Sequence, residues 1–163
     1  MTSTPSDGRV PLAHLPTPLE PMDRFADWLG GPRLLVKRDD LTGLALGGNK
    51  ARKLELLCAE ALQQGCDTLV TGGGPQSNHA RMTAAAANRL GLDCHLAIAG
   101  HEPSVLSGNV LLDVVLGAAV HYTGAREYYE IESAIEELAA RLGAEGQRPF
   151  AIPIGGASVT GVT

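Results

Sequence analysis

Between Thr68 and Asn78 the chain reads TLVTGGGPQSN, passing from four strand-forming residues into three glycines, a proline and a Ser-Asn pair able to open a helix. A strand, a glycine turn and a helix in that order cannot fold back as a hairpin, so the chain must cross over and lay its next strand parallel to the first. The rest of the sequence repeats this alternation. A helix beginning near Lys50 places Leu54, Leu57, Cys58, Ala61 and Leu62 on one face and ends at Gly65. After the Thr68–Thr71 strand, a helix opens near Ser77, carries the small residues Ala84 to Ala87 and ends at Gly91. A strand over 95–99, an apolar helix over 109–116, a strand over 120–122, a helix over 128–142 and a last strand over 150–154 follow. In the 128–142 helix Ile131, Ala134, Ile135, Leu138, Ala139 and Leu142 point inward, while Glu130, Glu132, Glu136, Glu137 and Arg141 form a solvated face. The expected fold is an open α/β domain: a parallel sheet with flanking helices and right-handed crossovers.

Before this pattern the chain is different in kind. PLAHLPTPLEP, residues 11–21, has four prolines and is expected to run extended over the surface. A short helix over 22–29, stopped by Gly30, Gly31 and Pro32, leads to a strand over 34–37 and then Arg38, Asp39 and Asp40. The opening MTSTPSDGR lacks the apolar stretch of a signal peptide and reads as a frayed lead-in, and no run approaches the ~18 apolar residues of a membrane span. With 163 residues the chain can bury a core without disulfides. A net charge of -5 gives no basic footprint for nucleic acid, which leaves small molecules as the expected partners. Cys58, Cys66 and Cys94 are odd in number and lack CxxC spacing, so they read as free thiols of a reducing cytoplasm. His14, His95, His101 and His121 lack metal-ligand spacing, and no metal site is expected.

Two stretches carry chemistry. In GGNKARKLE, residues 47–55, Asn49 is a candidate helix N-cap and Lys50 falls at the first helical position. The positive end of the helix dipole and the neighbouring Arg52 and Lys53 each disfavour a charged ammonium, which makes Lys50 a candidate nucleophile. In the second stretch, Gln76, Ser77, Asn78 and His79 stand at a helix opening, where backbone N–H groups and side chains suit a carboxylate. Taken singly, Ser77 and Asn78 are ordinary caps. TGGGPQ is not GxGxxG, so a dinucleotide fingerprint is not present.

VKRDDLTGLALGGNKARKLE (36–55) and TGGGPQSNHAR (71–81) together resemble, in order and spacing, two motifs of the pyridoxal-phosphate enzymes that include D-cysteine desulfhydrase and 1-aminocyclopropane-1-carboxylate deaminase, of the tryptophan synthase β-like fold (fold type II). The resemblance implies that Lys50 carries pyridoxal 5'-phosphate as a Schiff base and moves the substrate α-proton. It implies that Asn78 bonds the pyridine ring hydroxyl, that Ser77 binds the substrate carboxylate or assists proton transfer, and that Gln76 and His79 line the substrate pocket. Arg52 and Lys53 would be structural or electrostatic. His79 follows Ser77-Asn78 as in desulfhydrase-like members, where the deaminases have glutamine, which points to β-elimination of D-cysteine to pyruvate, hydrogen sulfide and ammonia. Deamination of 1-aminocyclopropane-1-carboxylate is the alternative, and elimination from a sulfonated amino acid a third.

The resemblance also divides the chain. Residues 1–49 would belong to the large cofactor domain, 50–155 would form the small α/β domain, and 156–163 would begin the return to the large domain. The complete enzyme would be a homodimer acting on a small amino acid. The family's glycine-rich phosphate cup and substrate-facing tyrosines would lie beyond Thr163, so the 163-residue chain is expected to be an incomplete catalyst, and a non-catalytic α/β binding domain is the reading from another class.

Overall fold

The computed structural model describes residues 8–162. The predicted frayed lead-in therefore lies almost wholly outside the described residues. Two short strands, β1 (Leu19–Pro21) and β2 (Leu35–Lys37), pair antiparallel around α1 (Asp23–Leu29), which ends at Gly30 in the left-handed conformation. The α/β pattern then begins with α2 (Lys50–Gln63) and continues through β3 (Thr68–Gly73), α3 (Asn78–Leu90), β4 (Asp93–Ile98), α4 (Gly108–Val115), β5 (Ala119–Tyr122), α5 (Tyr128–Ala144) and β6 (Pro149–Ala151).

The four later strands form one parallel sheet in the order β5-β4-β3-β6. Successive strand residues face opposite sides, and the two faces bury separate cores. Leu69, Leu96 and Ile98 pack with Leu54, Leu57, Cys58 and Ala84 of α2 and α3, whereas Val70 and Ala97 pack with Ile131, Ile135, Leu138 and Leu142 of α5. β3 is central and buried at every position, as a strand covered on both faces must be. The small residues Ala84 to Ala87 let α3 lie close to the sheet, and all four are buried.

Several expectations are corrected. The 11–21 stretch does not run wholly over the surface: Leu12 and Thr17 are 1% and 4% exposed, and Leu12, with Val10 just before the stretch, belongs to the α2–α3 core, its N–H held by the buried Glu55 carboxylate at 3.0 Å. Asn49 does not cap α2, because its backbone is already helical and its side chain makes no cap bond. Glu130 and Glu132 do more than face water. Glu130 Oε2 accepts from Arg126 N (2.7 Å) and Glu127 N (2.9 Å) in a capping box, and Glu132 Oε1 accepts from Ile154 N (3.0 Å). The last strand stops at Ala151, and Ile154–Gly156 turns as a 3-10 helix instead. Cys94 lies within β4, and burial pushes the Cys58 thiol up to about 12, so it is not a nucleophile at neutral pH.

Candidate active site

The two motifs meet at the C-terminal end of β3, the end of a parallel strand where α/β proteins place their ligands. α2 and α3 start there, and the 154–156 turn returns to the same place. Gly156 is buried so closely that a Cβ on it would lie 3.1 Å from Leu57 Cδ1, 3.3 Å from Lys53 Cδ and 3.5 Å from His79 Cε1. A Cβ on Gly155 would sit 3.9 Å from Lys50 Cε. The turn is thus a cradle over Lys50, Lys53 and His79.

Lys50 opens α2 and is partly exposed; its ammonium donates to Asn49 Oδ1 at 3.3 Å. The chain reaches it through Ala45 and Leu46, both left-handed (φ 42° and 72°), a conformation costing about 1–2 kcal/mol for a residue with a side chain. Arg52 grips Asp39 through two bonds of 2.9 and 2.7 Å and reaches Thr17 Oγ1 at 2.9 Å, so its role is to tie α2 to the preceding segment. That guanidinium holds the Asp39 carboxyl below its ordinary value. Lys53 donates to the carbonyls of Gly155 (3.2 Å) and Gly156 (3.4 Å) and fixes the cradle.

At the start of α3, Ser77 Oγ accepts from Ala80 N at 3.2 Å as a true N-cap, and its own hydroxyl proton stays available. Gly73 makes this possible, because a Cβ there would meet Ser77 Cβ and Oγ at 2.8 Å. His79 is 3% exposed; its Nε2 lies 3.1 Å from Thr71 Oγ1 and its Nδ1 has no partner among the described residues. Burial, and next the charges of Lys50 and Lys53, lower its pKa to about 3, so the imidazole is neutral at physiological pH.

Gln76 and Asn78 are exposed and joined through a residue that sequence reasoning did not single out. Asn109, at the start of α4, donates from its backbone to Gln76 Oε1 (2.9 Å) and from Nδ2 to Gln76 O (2.8 Å) and Asn78 Oδ1 (3.1 Å). Arg81 is the second such residue. It is 6% exposed, and it links Asn78 Oδ1 (2.9 Å), Asn109 Oδ1 (2.8 Å) and Gly47 O (3.2 Å), joining the lysine motif to the serine motif. Asn109 looked like an ordinary start to an apolar helix. Arg81 stood at the end of the quoted motif, but a buried arginine is too rare to be expected. Lys50 itself makes no hydrogen bond to Gln76, Ser77, Asn78 or His79 among the described residues.

Elsewhere, a groove of about 320 Å³ beside the β4–β5 edge is lined by Ala97, His121, Thr123 and Arg141, and by none of these site residues. His121 stacks on His95 there, Nε2 to Nδ1 at 3.0 Å. Among the described residues no helix is long and apolar enough to cross a membrane.

Comparison with known proteins gives the family. The chain is 46% identical over 153 residues to a Pyrococcus abyssi (strain GE5 / Orsay) protein named "Putative 1-aminocyclopropane-1-carboxylate deaminase", covering 94% of this chain and 46% of that protein. The crystal structure of an ACC deaminase homologue superposes with a TM-score of 0.88 at 43% identity, over 94% of this chain and 46% of the other. Diaminopropionate ammonia lyase of Escherichia coli in its apo form shares the fold at TM-score 0.60 and 20% identity, over 83% of this chain and 38% of that one. The chain thus spans about half the length of the relatives it matches. The family model described as "Pyridoxal-phosphate dependent enzyme" matches residues 10–161, and the chain belongs to that family.

Proposed function

We propose that this chain contributes the lysine and the substrate-carboxylate region of a pyridoxal-phosphate enzyme that converts D-cysteine and water to pyruvate, hydrogen sulfide and ammonia. In this reading residues 50–155 are its small domain, and residues 1–49 and 156–163 belong to the cofactor domain, with Val10 and Leu12 docked on the α2–α3 core. The donor set suits pyridoxal phosphate: a lysine whose stem runs beside the Gly155 turn, an amide at a helix start for the ring hydroxyl, and a hydroxyl with a free proton beside it. When bound, the cofactor supplies an electron sink for charge developing at the substrate α-carbon.

The chain's own residues then divide the work. Lys50 Nζ would hold the cofactor covalently and would be the group that takes the substrate α-proton. Ser77 and the open N–H groups of α3 hold the substrate carboxylate, favoured by the helix dipole. Asn78 would hold the ring oxygen. Loss of the α-proton would set up departure of the β-sulfur as a thiolate, which would take a proton, and with one water the products would be pyruvate, hydrogen sulfide and ammonia. Arg52 and Lys53 keep α2 and the cradle in place.

The observation that carries the D-cysteine reading is His79, a neutral buried imidazole directly after Ser77-Asn78 and within the field of Lys50. Deamination of 1-aminocyclopropane-1-carboxylate is a second reading, favoured by the name of the 46%-identical relative. The test is a substrate screen on the holoprotein carrying this chain, with D-cysteine, L-cysteine, 1-aminocyclopropane-1-carboxylate and a sulfonated amino acid. Sulfide and pyruvate released fastest from D-cysteine support the first reading. Faster release of keto acid and ammonia from the cyclopropane substrate supports the second, and faster turnover of the sulfonated substrate overturns both.

A further inference from the structure

Asn78 poses a question that its position alone does not answer. A carboxamide presents oxygen from one end and two N–H donors from the other, and turning it over exchanges an acceptor for a donor at any ligand it faces. Arg81 removes the ambiguity, because a guanidinium only donates. Arg81 Nη1 lies 2.9 Å from one end of the Asn78 amide and 2.8 Å from one end of the Asn109 amide, so both of those ends are oxygens. Asn109 Nδ2 must then point away from Arg81, and it does: it donates to Gln76 O and to the same Asn78 oxygen. Asn78 Oδ1 therefore accepts two hydrogen bonds, while Asn78 Nδ2 has no partner among the described residues.

A guanidinium 6% exposed is costly to bury, and this one makes no ion pair among the described residues. Its nearest counter-charge effect comes from the buried Asp113, and its Nε is unpartnered. Its satisfied contacts are with Asn78, Asn109 and the carbonyl of Gly47, two residues before the Asn49-Lys50 pair. A residue needed only to fill space here would be apolar. A charged donor on Asn78 Oδ1 also polarises the amide, making its N–H end a stronger donor.

We propose that Arg81 is a positioning residue that locks Asn78 with its N–H end toward the site, so that the site takes an oxygen acceptor there: the ring oxygen of pyridoxal phosphate. This rests on the reading that the cofactor ring faces Asn78.

The test compares pyridoxal phosphate with its 3-deoxy analogue, which lacks that oxygen, as ligands of the holoprotein stripped of cofactor. The parent is expected to prefer pyridoxal phosphate by roughly two- to tenfold, the worth of one hydrogen bond. Arg81→Met and Arg81→Gln, each checked for folding by circular dichroism, are expected to lose that preference while still binding the analogue. Either folded variant suffices, and glutamine keeps the position polar should methionine fail to fold. In the chain without cofactor, the Asn78 side-chain amide is expected to give a distinct nitrogen–proton NMR signal that shifts, with faster hydrogen exchange, in the same variants. A parent without any preference would overturn the placement of the ring at Asn78, and the proposal with it. A parent with the preference and a folded Arg81 variant that retains it would overturn the role of Arg81 alone.

Discussion

His79 donates to Thr71, and the direction of that hydrogen bond is fixed by the far side of the threonine. Thr71 has one hydroxyl proton and gives it to the carbonyl of Ile152 at 2.8 Å, so at the 3.1 Å contact its oxygen accepts from His79 Nε2. His79 is therefore the Nε2–H tautomer. Its Nδ1 is a bare lone pair, buried and facing the field of Lys50 and Lys53. Protonation of that nitrogen is opposed by burial first and by the two lysines second.

A pH dependence of stability follows from this. The unfolded chain protonates His79 near 6.5, whereas the folded chain resists until about 3. Between those values the unfolded state binds more protons, so this contribution is present above pH 6.5 and is lost as the pH falls, at ~1.4 kcal/mol per unit. Asp113 acts in the opposite sense. Burial raises its carboxyl from 3.8 to about 7, so its contribution is present at low pH and is lost as the pH rises through that window. Urea unfolding from pH 4 to 7.5 is expected to show a shallow profile in the parent. In His79→Gln stability should fall as the pH rises, and in Asp113→Asn it should climb. Parallel profiles for all three proteins would refute both assignments.

Lys50→Ala is expected to abolish the covalent adduct that borohydride traps when pyridoxal phosphate is added to the holoprotein stripped of cofactor. Lys53 lies three residues on, but its ammonium is committed to the carbonyls of Gly155 and Gly156. Peptide mapping by mass spectrometry should find the label on Lys50 in the parent and nowhere on α2 in the variant. A label of undiminished yield on Lys53 in Lys50→Ala would reverse their roles.

Ser77 caps α3 and, in the proposed function, also binds substrate, and two substitutions separate these parts. Ser77→Ala loses the bond to Ala80 N, which should cost about 1 kcal/mol of stability, and also loses the hydroxyl proton. Ser77→Asp keeps a good cap at a helix N-terminus and so should keep stability, yet it opposes a substrate carboxylate. Turnover is expected to fall in both, by roughly ten to a hundredfold for alanine. Gly73→Ala presses a methyl to 2.8 Å from Ser77 and should cost about 1–3 kcal/mol by overpacking. Kinetics of Ser77→Asp equal to the parent would remove Ser77 from substrate binding.

What could be read from the sequence divides along the range of the interactions. The stripe of α2, the inward face of α5 and the strand, glycine turn and helix from Thr68 to Asn78 obey local periodicity and turn chemistry, and they fold as expected. The order β5-β4-β3-β6 is not local, nor are the contacts that finish the site. Arg81 meets Gly47 and Asn109 from 34 and 28 residues away, and Glu132 meets Ile154 from 22. Asn49 shows a different limit. Its residue type suits a cap, but the left-handed residues and glycines before it deliver the chain already in helical geometry, leaving no cap to make.

The docking of the early chain onto α2 is the least expected part of the fold, and Glu55 is its hinge point. The Glu55 carboxylate is 4% exposed; its Oε1 accepts from Leu12 N at 3.0 Å and Ala13 N at 2.9 Å, while its backbone carbonyl accepts from Val10 N at 3.0 Å. Leu12, 1% exposed, then fills the α2–α3 core. Glu55→Gln keeps an oxygen for both N–H groups and trades a charged acceptor for a neutral one, so it should cost about 1 kcal/mol. Glu55→Ala leaves two N–H groups without their acceptor and should cost about 2–5 kcal/mol. Leu12→Ala opens a cavity in the same contact, again at about 2–5 kcal/mol. Because one docking event serves both residues, the double variant Leu12→Ala/Glu55→Ala should lose less than the sum of the singles. Hydrogen exchange at the Leu12 and Ala13 amides should accelerate in Glu55→Ala while the β3 amides keep their order of protection. Strict additivity in urea unfolding, with those two amides still protected in Glu55→Ala, would mean that the early chain is held by something other than the Glu55 carboxylate.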